Sequence, residues 1–427
     1  MKNIIQTVKG TREFYPKEMA VQNWLYAIIR QVSESFGYEE FDGPFLEFID
    51  LFAAKSGEEL VKEQAFVFPD RGGKLITLRP ELTLSLARMV AQKQNELVFP
   101  LRWWSYGPFW RYERPQKGRT REFFQWNIDL IGINSPEADA ELVSICAKFF
   151  QQIELKSSEV KILVNDRRLM DEELTAIGIS SALKPLVLKM IDRQDKMLST
   201  DWESYILEKG INDRQLLGLK NLLGKKDIYK KSETLNRFFL AIEELGFSEY
   251  VEFNPSVVRG LDYYTGIVFE AKDLGENGRS ILGGGHYDNL VADVGGSPLP
   301  GVGFALGDVM LLLVLEKYGK LPKVNKPLAE VLVTVFDQET MVDSIRTSSK
   351  LRQDGLNVIC YPEAIKLDKQ IKYADRSGIR LVIMLGPDEI EKGQVTIKDL
   401  KIGEQIKVES TQTTKIIKRI LADENAL

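Results

Sequence analysis

The sequence predicts an α+β protein in two parts. An antiparallel sheet flanked by helices comes first and is interrupted by a helical insertion, and a smaller α/β domain follows. Three observations carry this. Two pairs of strand-like runs joined by turns lie in the first third of the chain; residues 166–250 turn to Leu, Lys, Asp and Glu at helical spacing; and beyond residue 327 strands and helices alternate.

Each element has a local reason. Residues 17–36 read as a helix, because Trp24, Ile28, Val32 and Phe36 recur every fourth position with Leu25 and Ile29 beside them. Pro16 stands before it, where proline is tolerated, and Gly37 closes it. From Phe66 to Arg79 the order is strand, turn, strand (FVFPD, RGGK, LITLR), and LRWWSYGPFWRYE with FFQWNIDLIG forms a second pair around the basic stretch RPQKGRTR. Strand-like sequence returns in VVRGLDYYTGIVFEA and ILGGGHYDNLV, and GVGFALGDVMLLLVLEKYG passes from strand into helix near Gly307. The run LPKVNKP (321–327) reads as a linker. After it come EVLVTVF, a helix at about 339–351, NVICY, a helix around KQIKYADRS, and RLVIML, the rhythm of a largely parallel sheet. The expected domains are therefore 1–325 and 328–427.

Bulk properties narrow the function. The 427 residues are 44% hydrophobic and 28% charged, as in an ordinary globular protein of two or three domains. A net charge of −5 provides no global basic field, so any nucleic acid has to be gripped by local patches. His286 is the only histidine and Cys146 and Cys360 are far apart, so no protein-borne zinc or other metal site is expected. The start, MKNIIQTVKGTREFYPKEM, lacks the apolar stretch of a signal peptide, and no run approaches the ~18 apolar residues of a membrane span. A cytoplasmic protein away from membranes is expected.

The chemistry concentrates in RYERPQKGRTREFFQW, which carries four arginines, one lysine and two glutamates. An arbitrary basic turn is a solvated hairpin. Here Phe109, Trp110, Tyr112, Phe123, Phe124 and Trp126 alternate closely with the charges, which implies strands inside the protein body and charges held in a cavity. Buried charges need partners, and arginine forks match phosphate oxygens, so an anionic ligand is the better explanation.

This stretch resembles the second signature motif of class II aminoacyl-tRNA synthetases, in the form found in the histidyl-tRNA synthetase family. The resemblance implies a class II catalytic domain with a C-terminal anticodon-binding domain. It also implies that Arg111 binds the ATP α-phosphate, Glu113 the adenine or a magnesium-associated group, Arg121 the neighbourhood of the phosphates, and that Phe123 stacks on adenine. Gln116–Lys117–Gly118 would approach the tRNA acceptor end.

In TLRPELTLSLARM, Glu81 and Thr83 sit at a strand-to-helix junction, where Thr83 alone reads as a helix cap. The resemblance assigns both, with Gln125, to the substrate's α-ammonium group. VVRGLDYYTGIVFEA resembles the signature that sets histidine enzymes apart. It implies that Arg259 contacts the substrate carboxylate and α-phosphate, and that Tyr264, with Asp129, reads the imidazole ring. Tyr263 is either a further ring contact or a packing residue. ILGGGHYDNLV resembles a second histidine-specific signature.

Three positions depart from the family pattern: Asp129 where glutamate is expected, His286 where arginine is expected, and Met310 in place of the third-motif arginine. The last has two readings. Met310 packs on the purine while Arg119 or Lys117 holds the terminal phosphate, or ATP use is weakened. The segment FGYEEFDGPFLEF resembles the first class II motif, which implies a homodimer. ATP, Mg2+, histidine and tRNA(His) are the expected cofactors and partners. The rival reading is a non-catalytic, histidine-binding regulatory paralogue of ATP phosphoribosyltransferase. The retained Arg259 and the C-terminal domain, which that paralogue lacks, argue against it.

Overall fold

The computed structural model describes residues 4–53, 63–194, 197–258, 263–275, 278–323 and 327–422. The chain divides into two compact units, Met1–Lys323 and Val324–Leu427.

In the first unit, α1 (Pro16–Ser35) buries Leu25, Ile29 and Val32, while Trp24, Ile28 and Phe36 pack against the same core from its margin. Each fully buried aliphatic side chain of this kind contributes about 2 kcal/mol. β1 (Glu39–Glu40) follows, then β2 (Leu46–Phe48) and α2 (Asp50–Ala53). β3 (Phe66–Pro69) and β4 (Leu75–Leu78) form the first predicted hairpin, and β2 pairs with β4 to complete a three-stranded antiparallel sheet. At the hairpin turn Asp70 Oδ1 accepts from the backbone of Gly72 and Lys74, and Gly73 supplies a φ of 84°.

After α3 (Thr83–Lys93), β5 (Leu101–Trp110) and β6 (Glu122–Ile131) form the second predicted pair, in unbroken antiparallel register from Leu101↔Ile131 to Trp110↔Glu122. α4 (Pro136–Gln152) is capped by Ser135, whose hydroxyl accepts from the Ala138 N–H. β7 (Val160–Asp166) leads into five helices, α5 (Arg167–Ala176), α6 (Lys184–Asp192), α7 (Ser199–Glu208), α8 (Asp213–Leu223) and α9 (Glu233–Glu244), before β8 (Val251–Phe253). β8 pairs parallel with β7, so the helical excursion returns beside the strand it left. β9 (Ile267–Asp273), β10 (Ser280–Tyr287), α10 (Leu290–Asp293), β11 (Gly301–Gly307) and α11 (Asp308–Lys317) complete the unit.

The resulting eight-stranded sheet has the order β1-β5-β6-β11-β10-β9-β7-β8, antiparallel throughout except at its two outermost pairs. One face carries the main core, with Trp126, Ile128 and Leu130 against α1 and α4. The other carries a smaller cluster under α3 and α10, including Leu84, Leu86, Ile131, Tyr264 and Tyr287.

The second unit runs β12 (Val331–Val333), α12 (Met341–Gln353), β13 (Val358–Cys360), α13 (Leu367–Arg376), β14 (Leu381–Met384), α14 (Pro387–Glu391), β15 (Gln394–Asp399), β16 (Gln405–Glu409) and α15 (Thr413–Ala422). Its sheet order is β13-β12-β14-β15-β16. β12, β13 and β14 are parallel, but β15 runs antiparallel to both of its neighbours, β14 and β16, which corrects the expectation of a largely parallel sheet. The cause is loop length: parallel neighbours need a crossover of a dozen or more residues, and the turn at 400–404 is far too short. Among the described residues, no helix is long and apolar enough to cross a membrane.

Candidate active site

Strand β6 divides its side chains by parity, as every strand must. Trp126, Ile128 and Leu130 enter the main core, so Phe123, Gln125, Asn127 and Asp129 line the opposite face. The strands beside the middle of this row contribute only small side chains, while on β5 Trp103 pairs with Asp129 and Phe109 with Phe123 at its ends. On β11, Gly303 pairs with Asp129, Ala305 with Asn127 and Gly307 with Gln125. On β5, Gly107 pairs with Gln125 and Ser105 with Asn127. A Cβ on Gly303 would collide with Asp129 Oδ1, whereas one on Gly307 would meet open space. The glycines thus leave a trough over a polar strand.

Helix α3 covers the trough with its N-terminus. Glu81 Oε2 accepts from the Thr83 N–H at 3.0 Å and Oε1 from the Leu84 N–H at 3.2 Å, so the acid caps the helix that the sequence left to Thr83. Burial pushes Glu81 above the ordinary carboxylate range, and these two N–H groups with the Arg111 charge hold it back. Arg111 donates from Nε to the Pro80 carbonyl at 2.9 Å and lies 5.3 Å over the Phe123 ring. Its Nη groups have no hydrogen-bond partner among the described residues. Burial lowers its pKa, opposed by Glu113 and Glu81, and Tyr263 also falls within its field.

At the far end, Asp129 is 3% exposed and accepts a hydrogen bond from the Tyr287 hydroxyl at 2.9 Å. Burial raises its pKa from 3.8 to about 7; the Tyr287 bond lowers it, and Glu81 adds to the rise. Tyr263 and Tyr264 stand with ring centroids 4.7 Å apart, and burial pushes the Tyr263 phenol well up. Gly285 lets Tyr264 pack against the strand, since a Cβ there would lie 2.8 Å from the Tyr264 ring. Glu81, Arg111, Asp129, Tyr263 and Tyr287 therefore share one electrostatic neighbourhood.

The basic turn closes the other end. Gln116 and Arg119 exchange backbone hydrogen bonds of 3.1 and 2.9 Å around Gly118, whose φ of 85° suits a glycine in a tight turn. Met310 and Arg279 crowd the Cβ position of Gly118, and Arg279 donates to the Lys117 carbonyl, so Met310 sits against this turn. Arg119 pairs with Glu113 at 3.2 Å. Arg121 is committed elsewhere: it stacks 3.9 Å over Tyr112 and donates to the carbonyls of Glu113 and Lys9, pinning the N-terminal segment. Arg259 lies outside the described residues.

Three residues given no role by the sequence reading matter here. Tyr287 orients Asp129, and Asn127 lies in the row between Gln125 and Asp129. Strict alternation in FFQWNIDL and GGGHY was the available signal for both. Asp308 is fully buried and accepts from Arg12 at 2.9 Å, Gln22 at 2.8 Å and the Phe124 N–H at 2.9 Å, locking α11 to α1 and β6. His286, one residue out of phase with Tyr287, points away from the trough. Its Nδ1 lies 2.9 Å from Asp139 and its Nε2 3.3 Å from Asp288.

The family model for histidyl-tRNA synthetase matches residues 10–309, and that for an anticodon binding domain matches 330–420. The histidine–tRNA ligase of Leptospira biflexa is 34% identical over 98% of this chain and 98% of its own length. The chloroplastic/mitochondrial histidine–tRNA ligase of Arabidopsis thaliana is 38% identical over 94% of this chain and 84% of its own. The crystal structure of histidyl-tRNA synthetase from Nostoc sp. PCC 7120 is similar with a TM-score of 0.80 at 27% identity, covering 98% of this chain and 100% of that one.

Proposed function

The chain belongs to the histidyl-tRNA synthetase family, and on that premise we propose that it activates histidine with ATP and esterifies it to the 3′-hydroxyl of tRNA(His). The observation that carries this reading is the single trough in which Arg111 and Glu81 stand at one end and the Asp129–Tyr287 pair at the other.

In this reading Glu81, Thr83 and Gln125 take the α-ammonium group, where a carboxylate neutralises the cation. Asp129, Tyr263 and Tyr264 enclose the imidazole. Phe123 stacks on adenine, with Glu113 beside it, Arg121 positions the loop near the phosphates, and Met310 supports that loop from α11. A histidine carboxylate oxygen attacks the α-phosphorus, the bond to the bridging oxygen breaks, and pyrophosphate leaves. Arg111, and Arg259 from its sequence motif, meet the negative charge that gathers there; donors of this kind are worth about 10²–10³ in rate. The tRNA hydroxyl then attacks the activated carbonyl and AMP departs, a phosphate oxygen of the adenylate accepting the hydroxyl proton. Positioning and charge suffice for both steps.

Magnesium belongs to the same reading. Among the described residues no three His, Cys, Asp or Glu groups converge on a metal. The ion would be carried mainly by the phosphates, with Glu113, which also pairs with Arg119, as the nearest carboxylate of the motif. The ion would offset phosphate charge. The anticodon-binding unit reads the tRNA, and the setting is cytoplasmic. Homodimerisation through the first motif is supported by Phe45, Leu46, Phe48, Phe68 and Leu75, large apolar side chains left exposed on the three-stranded sheet.

Histidine-dependent ATP–pyrophosphate exchange tests the proposal. Exchange with histidine alone among the amino acids is expected, falling about 10²–10³-fold in Arg111→Ala. No exchange with histidine, ATP and Mg2+ present would overturn the enzyme reading in favour of a histidine-binding regulator.

A further inference from the structure

We propose that Arg279, which immediately precedes β10, binds the terminal phosphate of ATP and so supplies from another strand the cation that α11 lacks at Met310. This rests on the adenylate-forming reading above and adds a residue to it.

Met310 stands in the first turn of α11, in place of the third-motif arginine, so the helix brings no charge to the phosphates there. Arg279 reaches the same spot. Its Nη1 donates to the Lys117 carbonyl in the basic turn. A Cβ on Gly118 would meet the Met310 sulfur and Arg279 Nη1 together, the latter at 2.8 Å. Sulfur and guanidinium therefore flank one point of the turn, and only a glycine at 118 leaves room for both. The guanidinium thus lies against the turn that the side chain of residue 310 also touches.

The charges around it favour an anion. Among the described residues Arg279 donates to one neutral carbonyl and has no carboxylate partner. That hydrogen bond orients the fork without neutralising it, and further N–H donors remain. Arg119, in the same turn, is paired with Glu113 at 3.2 Å, and Arg121 is spent on Tyr112 and two carbonyls. Arg111 stands at the base of this hairpin, its N–H on the Arg121 carbonyl at 2.9 Å, and the turn stands at its tip. A triphosphate held by Arg111 at its α-phosphate has its terminal phosphate to place along that length. The terminal phosphate carries the most charge, and its oxygens match a guanidinium fork in pairs. When the bond from the α-phosphorus to the bridging oxygen breaks, the electron pair stays with pyrophosphate, which the same cation then meets.

The test measures ATP and AMP binding by calorimetry, and histidine-dependent pyrophosphate exchange, in the parent, Arg279→Ala and Arg279→Gln. Glutamine keeps a donor for the Lys117 carbonyl and removes the charge. In both variants the Kd and KM for ATP are expected to rise about 10–100-fold, while the Kd for AMP and the KM for histidine stay within about twofold. Adding Met310→Arg to Arg279→Ala returns a charge from α11 and should restore ATP binding. Equal weakening of ATP and AMP, or a glutamine variant that behaves like the parent, would make Arg279 a brace of the turn and overturn the assignment. An ATP loss seen in Lys117→Ala or Arg119→Ala but not in Arg279→Ala would overturn it too. Failure of the underlying reading looks different, because the parent would then show no exchange with histidine while calorimetry still compared ATP with AMP. If Arg279→Ala does not fold, Arg279→Gln carries the same expectations.

Discussion

Burying the Asp129 carboxylate costs the free protein stability, and Asp129→Asn measures that cost. Burial raises its pKa from 3.8 to about 7. Between those values the folded chain keeps a proton that the unfolded chain has released, so stability falls as pH rises through the window. At about 1.4 kcal/mol per pH unit, the gap corresponds to roughly 4 kcal/mol of destabilisation above pH 7. Asparagine has no charge to bury, and its oxygen still accepts from the Tyr287 hydroxyl. Thermal unfolding of parent and variant from about pH 4 to pH 8 is the assay. The midpoint advantage of the variant should be near zero at the acid end, grow through the window, and level off above pH 7 at on the order of 5–10 °C. Histidine-dependent exchange should meanwhile fall at least about 10²-fold, because the ring N–H has lost its charged acceptor. A stability difference that does not change with pH would refute the claim that Asp129 carries a buried charge.

His286 has the opposite pH signature. Burial alone would lower its pKa, but the Asp139 hydrogen bond and charge, with Asp288, raise it above 6.5, so its contribution is complete below 6.5 and lost as pH rises through the elevated value. His286→Gln should therefore destabilise more near pH 6 than near pH 9 in denaturant titrations, with exchange KM values little changed. Asp308→Ala removes the acceptor shared by Arg12, Gln22 and the Phe124 N–H and should cost about 3 kcal/mol in unfolding free energy, because it leaves those donors unpaired.

Periodicity was legible wherever a segment's own pattern decided its structure. The fourfold apolar spacing in 17–36 produced α1, and the paired runs at 66–79 and 101–131 produced hairpins. The row of candidate site residues on β6 was legible for the same reason. Alternation in FFQWNIDL already separates Trp126, Ile128 and Leu130 from Gln125, Asn127 and Asp129, and the glycines of GVGFALG mark where side chains are absent. The motif resemblance supplied chemical roles for positions that alternation could only place on a face.

Tertiary structure alone decided the partnerships. Tyr287 meets Asp129 across 158 positions of chain, and Arg12 meets Asp308 across 296. Neither pairing has a local signature, because any buried carboxylate accepts from any donor brought to it. The return of the helical insertion to β8 beside β7, and the antiparallel β15–β16 turn, likewise depended on which strand edges were still unpaired. The displaced pKa of Asp129 belongs to the same class. A side chain's identity is written in the sequence, but its hydration and its neighbours' charges exist only once distant segments close around it.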